Sequence, residues 1–149
     1  MTSQDEQCMD AALQQARAAL LAGESPVGAV LLRDGKMLAA ANAVIAELDP
    51  SAHAELQVIR LAAREWRQLH LNDACLYVTV EPCRMCRAAC YYAGIREIVF
   101  GASLADMQAI TRAELTASAE SDDGLSLRGG CRAQESRDLL QAWAARRPV

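Results

Sequence analysis

Hydrophobic positions change their period along the chain, and those changes mark out its elements. Between residues 4 and 21, Met9, Ala12, Leu13, Ala16 and Leu20 recur at helical spacing, closed by Gly23. This predicts an amphipathic helix with a glycine stop. Beyond Pro26 the segments "VGAVLL", "RDGK" and "MLAAA" predict a β-hairpin with a short Asp-Gly turn. After the polar stretch through Asp49-Pro50-Ser51, a second helical stripe runs through Ala52, Leu56, Ile59, Ala63 and Trp66. "CLYVTV" at 75–80 is a β-prone run without alternation, the pattern of a strand covered on both faces. "PCRMCRAACYYA" reads as a helix stopped at Gly94, "IREIVF" as a strand and residues 103–119 as a helix. "SDDG" reads as a turn and "LSLRG" as a short strand, and a last helix carries Leu139, Leu140 and Trp143. Helices alternating with strands predict a layered α/β domain, with about five strands and helices on both faces.

Composition changes this picture little. A chain of 149 residues, 52% hydrophobic, suits one domain spanning 1–149 with a real core. No apolar run is long enough for a bilayer. The acidic start "MTSQDEQC" has no basic and apolar signal regions, so a cytoplasmic protein is expected, without membrane contact. The net charge of −4 counts against life on phosphate backbones. The compact basic cluster "AARRP" at 144–148 fits the cation preference of a helix C-terminus. Without a secretory signal, the six cysteines are not expected to form a disulfide framework. Cys8, Cys75, Cys90 and Cys131 read as small buried hydrophobes.

Cys83 and Cys86 differ. Three apart on a helix, they share a face and can both reach one ion. Pro82 favours a helix start there, because its missing N–H falls where a helix has no acceptor for one. The helix N-terminus favours the thiolate form that a metal needs. Two thiolates leave zinc undersupplied, and His53, at the start of another helix in "SAHAELQVI", is the natural third ligand. Glu55 then stands free beside the metal-bound water. Two thiolates and a neutral imidazole cancel the charge of Zn²⁺, so a nearby proton acceptor becomes valuable. His70, the other histidine, lies in the polar "WRQLHLND" and reads as exposed. An H-x-E or a C-x-x-C alone says little. H-A-E before a strand with P-C-x-x-C after it matches the signature of zinc deaminases.

With these residues the chain resembles the cytidine and deoxycytidylate deaminase superfamily, in the branch of guanine deaminases and tRNA adenosine deaminases. The resemblance runs from "SPVGAV" through "DPSAHAE" and "LYVTVEPCRMC" to "IVFGAS", and resumes at "GGCRAQESRDLLQAW". It implies a three-layer α/β/α cytidine-deaminase-like fold with one Zn²⁺ per chain, held by His53, Cys83 and Cys86. Zinc-activated hydroxide would attack the amino-bearing ring carbon, with Glu55 as proton shuttle and ammonia as the leaving group. Asn42 and the backbone N–H of Ala54 would contact the base. A homodimer is also implied, and Tyr91 and Tyr92 suit a pocket, an interface or a core helix.

Past "FGA" the relatives diverge. The "GAAGS"-like loop of the tRNA enzymes is absent, "SLADMQAITRAEL" stands there, and "ACYYAGI" is closer to the guanine deaminases. The "GFDD" part of the guanine deaminases' acidic stretch is replaced by "TRAE", where Glu114 is a candidate substrate contact. The C-terminal "GGCRAQESRDLLQAW" leans toward the tRNA branch. The first expectation is therefore a guanine-deaminase-like enzyme acting on a small aminated heterocycle: a free nucleobase, a nucleoside or a related ring. The alternatives are a tRNA wobble-adenosine deaminase and a non-catalytic zinc-stabilised module, against which an intact Glu55 argues.

Overall fold

The computed structural model describes residues 1–111, 126 and 128–146. The chain divides into two compact units, Met1–Ala119 and Glu120–Val149. The first opens with α1 (Ser3–Leu21) and the hairpin β1 (Gly28–Arg33) and β2 (Lys36–Ala41). The short α2 (Val44–Glu47), α3 (Ala54–Trp66), β3 (Cys75–Val80), α4 (Arg84–Tyr92), β4 (Glu97–Ala102) and α5 (Leu104–Thr111) follow. The second unit carries α6 (Ala133–Arg146).

The helix ends follow local chemistry. Thr2 and Asp5 form a reciprocal capping box at the start of α1, with Asp5 N–H donating to Thr2 Oγ1 (3.1 Å) and Thr2 N–H to Asp5 Oδ2 (2.8 Å). At its end Gly23 adopts φ +82°, and Glu24 N–H reaches back to the Ala19 carbonyl, 2.9 Å away. Gly94, at φ +80°, closes α4 in the same way, with Ile95 N–H on the Cys90 carbonyl at 2.9 Å. The hairpin turn uses Asp34 (φ +51°) and Gly35 (φ +73°), the left-handed pair that matches strand twist.

The described strands form one mixed sheet in the order β2-β1-β3-β4. β1 runs antiparallel to both β2 and β3, while β4 is parallel to β3. Alternation along β1 and β3 divides the core between two faces. Ala29, Leu31, Leu76 and Val78 pack with Ala54, Val58 and Ala62 of α3 and with Cys90 of α4. Val30 and Tyr77 face α1, against Cys8 and Ala12. The result is the expected three-layer α/β/α arrangement.

Several expectations need correction. Four strands are present among the described residues, not about five; of the fifth, "LSLRG", Leu125 and Leu127 lie outside them and Ser126, Arg128 and Gly129 are in no strand, while "SDDG" lies outside them altogether. The buried stripe of α3 is Ala54, Glu55, Val58 and Ala62. It is rotated from the expected stripe because buried Ala52 belongs to the preceding turn, and Leu56 and Ala63 are half-buried. Of the cysteines read as buried, Cys8 and Cys90 are, Cys75 is half-buried and Cys131 is exposed. Leu139 is exposed on α6, and the side chains of Leu140 and Trp143 lie outside the described residues. Glu114 and the end of the "AARRP" cluster lie outside them too. Among the described residues, no helix is long and apolar enough to cross a membrane.

Candidate metal centre and its cleft

His53 and Cys83 occupy equivalent places, each the N-cap of its helix with extended backbone (φ −67°, ψ 152° and φ −68°, ψ 173°). A Ser, Thr, Asp or Asn there would cap the helix and contribute about 1 kcal/mol. Neither His53 nor Cys83 makes a side-chain cap bond. Cys83 is therefore not a helical residue sharing a face with Cys86, as expected, and Pro82 precedes the cap instead of opening the first turn. Cys86, inside α4, turns toward the same point as Cys83. The turn before His53 is wound by Asp49, whose carboxylate accepts both the N–H (2.8 Å) and the hydroxyl (2.6 Å) of Ser51.

These backbones bring three ligand atoms together. Cys83 Sγ is 3.7 Å and Cys86 Sγ 3.6 Å from His53 Nδ1, and all three atoms lie within 4.8 Å of one another. Tetrahedral zinc with Zn–S near 2.3 Å and Zn–N near 2.0 Å holds such atoms ~3.6 Å apart. The donor set fits zinc in type and in spacing, with three protein ligands and room for a fourth position. Among the described residues no other such group occurs.

The three groups also act on one another electrostatically. The Cys86 thiol, donating to Cys83, together with His53 brings the Cys83 thiol down to about 4. Cys86 is pushed up, first by that same bond and then by burial. The bond to Cys83 also raises the His53 imidazole above its usual value. A metal there takes thiolates and a neutral imidazole, so binding a dication releases the protons these groups carry. Cys90, one turn beyond Cys86, is raised to about 11 by burial and stays an inert thiol.

Glu55 is 4% exposed. Burial raises its carboxyl above the ordinary range. It nevertheless lines an open cleft together with His53, Cys83 and Asn42. Asn42 is buried, and its Oδ1 accepts the Val44 N–H at 3.2 Å. Ala54 is the first residue of α3, where a helix has no internal acceptor for the N–H.

Of the residues expected from the sequence, the fold gathers His53, Cys83 and Cys86 and sets Glu55 and Asn42 in the same cleft, whereas the Ala54 side chain is buried in the core and does not line it. Sequence reasoning missed Ser25, Val27, Val80, Glu81, Leu104 and Met107, which complete the wall. Glu81 stood within the motif "VEPC", a signal that was available; the apolar four carried none. His70 is exposed, as expected. Tyr91 and Tyr92 are exposed on α4, in neither core nor cleft.

Comparison with known proteins agrees with this geometry. The tRNA-specific adenosine deaminase of Agrobacterium fabrum is 47% identical over 95 residues, covering 63% of this chain and 62% of that protein. A tRNA(Ile)-lysidine synthase of Thermus thermophilus is 42% identical over 142 residues, 95% of this chain, which spans only 25% of that protein. The solved guanine deaminase of Bacillus subtilis superposes with a TM-score of 0.79 at 27% identity, covering 100% of this chain and 98% of that one. The model of the cytidine and deoxycytidylate deaminase zinc-binding region matches residues 2–102, and the chain belongs to that family.

Proposed function

We propose that residues 1–149 form a zinc-dependent aminohydrolase domain acting on an adenosine presented by tRNA. One arrangement carries the chemistry: a buried carboxylate, Glu55, opening into the same cleft as a three-ligand metal centre. The substrate is supported by the 47% identity to a tRNA-specific adenosine deaminase, against 27% to the guanine deaminase. This order reverses the sequence-based preference for a free heterocycle. That preference leaned on the absent "GAAGS"-like loop, on "ACYYAGI" and on net charge, the last of which describes the whole molecule and not the potential at one cleft mouth.

His53 through Nδ1 and Cys83 and Cys86 as thiolates would hold the zinc. Bound there, it supplies Lewis acidity that makes water a nucleophile near neutral pH. Glu55 accepts the proton of the attacking water and delivers it to the ring nitrogen, then transfers the second to the departing amine. Water enters, ammonia leaves, and the amino-bearing carbon becomes a carbonyl. A carboxyl whose proton affinity is raised by burial suits both halves of that task. Asn42 and the Ala54 N–H orient the base, and Val27, Val80, Leu104 and Met107 keep bulk water away. A homodimer belongs to this reading, supported by the tyrosine pair exposed on α4.

A second reading, a free guanine-like base, is favoured by the full-length structural match to guanine deaminase. Ammonia release from an anticodon stem-loop and from a panel of free bases and nucleosides separates the two. Turnover of the stem-loop alone is expected, and turnover of free guanine without the stem-loop would reverse the assignment.

A further inference from the structure

Glu24 is a carboxylate that the proposed chemistry does not use. It is 6% exposed, and among the described residues the ion pairs are Arg60–Asp49 and Arg132–Glu135, so no cation compensates it. Its two oxygens instead accept backbone N–H groups of α2, Ile45 at 3.0 Å and Ala46 at 2.8 Å. Burying a carboxylate to finish a four-residue helix is costly. The helix's own N-cap, Ala43, offers no side-chain bond. The gain lies in what that turn carries.

The next amide toward the N-terminus, Val44 N–H, is held by Asn42 Oδ1. Asn42 N–H in turn donates to the Val27 carbonyl at 3.0 Å. The segment carrying Glu24, Ser25 and Val27 is therefore tied to the turn carrying Asn42, once through Glu24 and once through Val27. Ser25, Val27 and Asn42 all line the cleft. With Oδ1 occupied by Val44, the Asn42 amide has one orientation, and its NH₂ is left to meet a ligand. An edge recognised there must present an acceptor. Freed from Val44, the amide can turn over and exchange donor for acceptor.

We infer that Glu24 is a positioning residue for substrate recognition: it fixes the Val44–Ala46 turn so that Asn42 presents its NH₂ to the base. The kinetic consequence rests on the function proposed above; the structural one does not. The first test is amide hydrogen exchange by NMR on the full zinc-loaded chain, comparing wild type with Glu24→Gln. Val44 N–H, which touches Asn42 and not Glu24, is expected to exchange about tenfold faster in the variant, with the melting temperature nearly unchanged. Unchanged protection at Val44 would overturn the inference, whatever the substrate. If Glu24→Gln does not fold, Glu24→Asp, which keeps the charge but withdraws both oxygens, takes the same test.

The second test is a double-mutant cycle in kcat/KM on the anticodon stem-loop. Glu24→Gln is expected to cost on the order of tenfold to a hundredfold in wild type and nothing further in Asn42→Ala. Additive losses would overturn the inference. A wild type as silent on the stem-loop as Glu55→Ala would count against the proposed function, and the Val44 exchange rate would still decide the role of Glu24.

Discussion

Cys86 and Cys90 lie one turn apart on α4, both buried, yet only Cys86 reaches the metal centre. The difference is what each sulfur meets: Cys86 bonds to Cys83 and lies 3.6 Å from His53 Nδ1, while Cys90 packs into the apolar core. Zinc content measured by mass spectrometry should separate them, with Cys86→Ser losing the metal and Cys90→Ala retaining about one ion per chain. Glu55→Ala should keep zinc and fold while lowering kcat by about 10²–10⁴, which stopped-flow or single-turnover assays can resolve. At this scale the ligands and the acid were legible because His53, Glu55, Cys83 and Cys86 combine reactive types with diagnostic spacing. Glu24 was not. A glutamate before "SPVG" looks like any solvated turn residue, and only the folded chain sets it against the backbone of Ile45 and Ala46.

Elements were legible where a glycine or a capping pair marks the boundary, as at Gly23, Gly94 and the Thr2–Asp5 box. The end of α3 had no such mark, because Arg67 takes the left-handed conformation (φ +51°) that glycine usually fills. The α3 stripe was misread for a related reason: His53 is the cap, so Ala52 lies outside the helix and its phase does not continue the stripe. Packing of α1 on β1 depends on Gly28, where a Cβ would collide with the backbone carbonyl of Ala12. Gly28→Ala should therefore destabilise the fold by about 2 kcal/mol or more in urea unfolding. α1 is also joined to β3 by the Tyr77 hydroxyl, which donates to Asp5 Oδ1 at 2.8 Å. The Thr2 N–H, then Tyr77, hold the Asp5 carboxyl below its ordinary 3.8. A depressed carboxyl stabilises the fold above its unfolded pKa, and that contribution fades as pH falls through the folded value. Asp5→Asn should accordingly lower Tm at neutral pH, and the gap to wild type should shrink below pH ~3.8, as thermal melts across an acid series will show.

For the whole molecule, the metal centre joins the N-termini of α3 and α4, which stand on the same side of the sheet. Zinc should thus contribute to stability as well as chemistry, and chelation should lower Tm by about 10 °C, restored by adding zinc back. Family and architecture were readable at this scale because the metal motifs impose a strand between two helix starts. Substrate was not, because it depends on the cleft wall contributed by α5 and on segments where the chain departs from its relatives. The most direct measurement is conversion of adenosine to inosine in a tRNA anticodon stem-loop by the zinc-loaded protein, with Glu55→Ala alongside. Inosine formed by wild type and lost in the variant is the predicted result. Equal inosine from both would contradict the role of Glu55, and none from a fully zinc-loaded wild type would contradict the substrate.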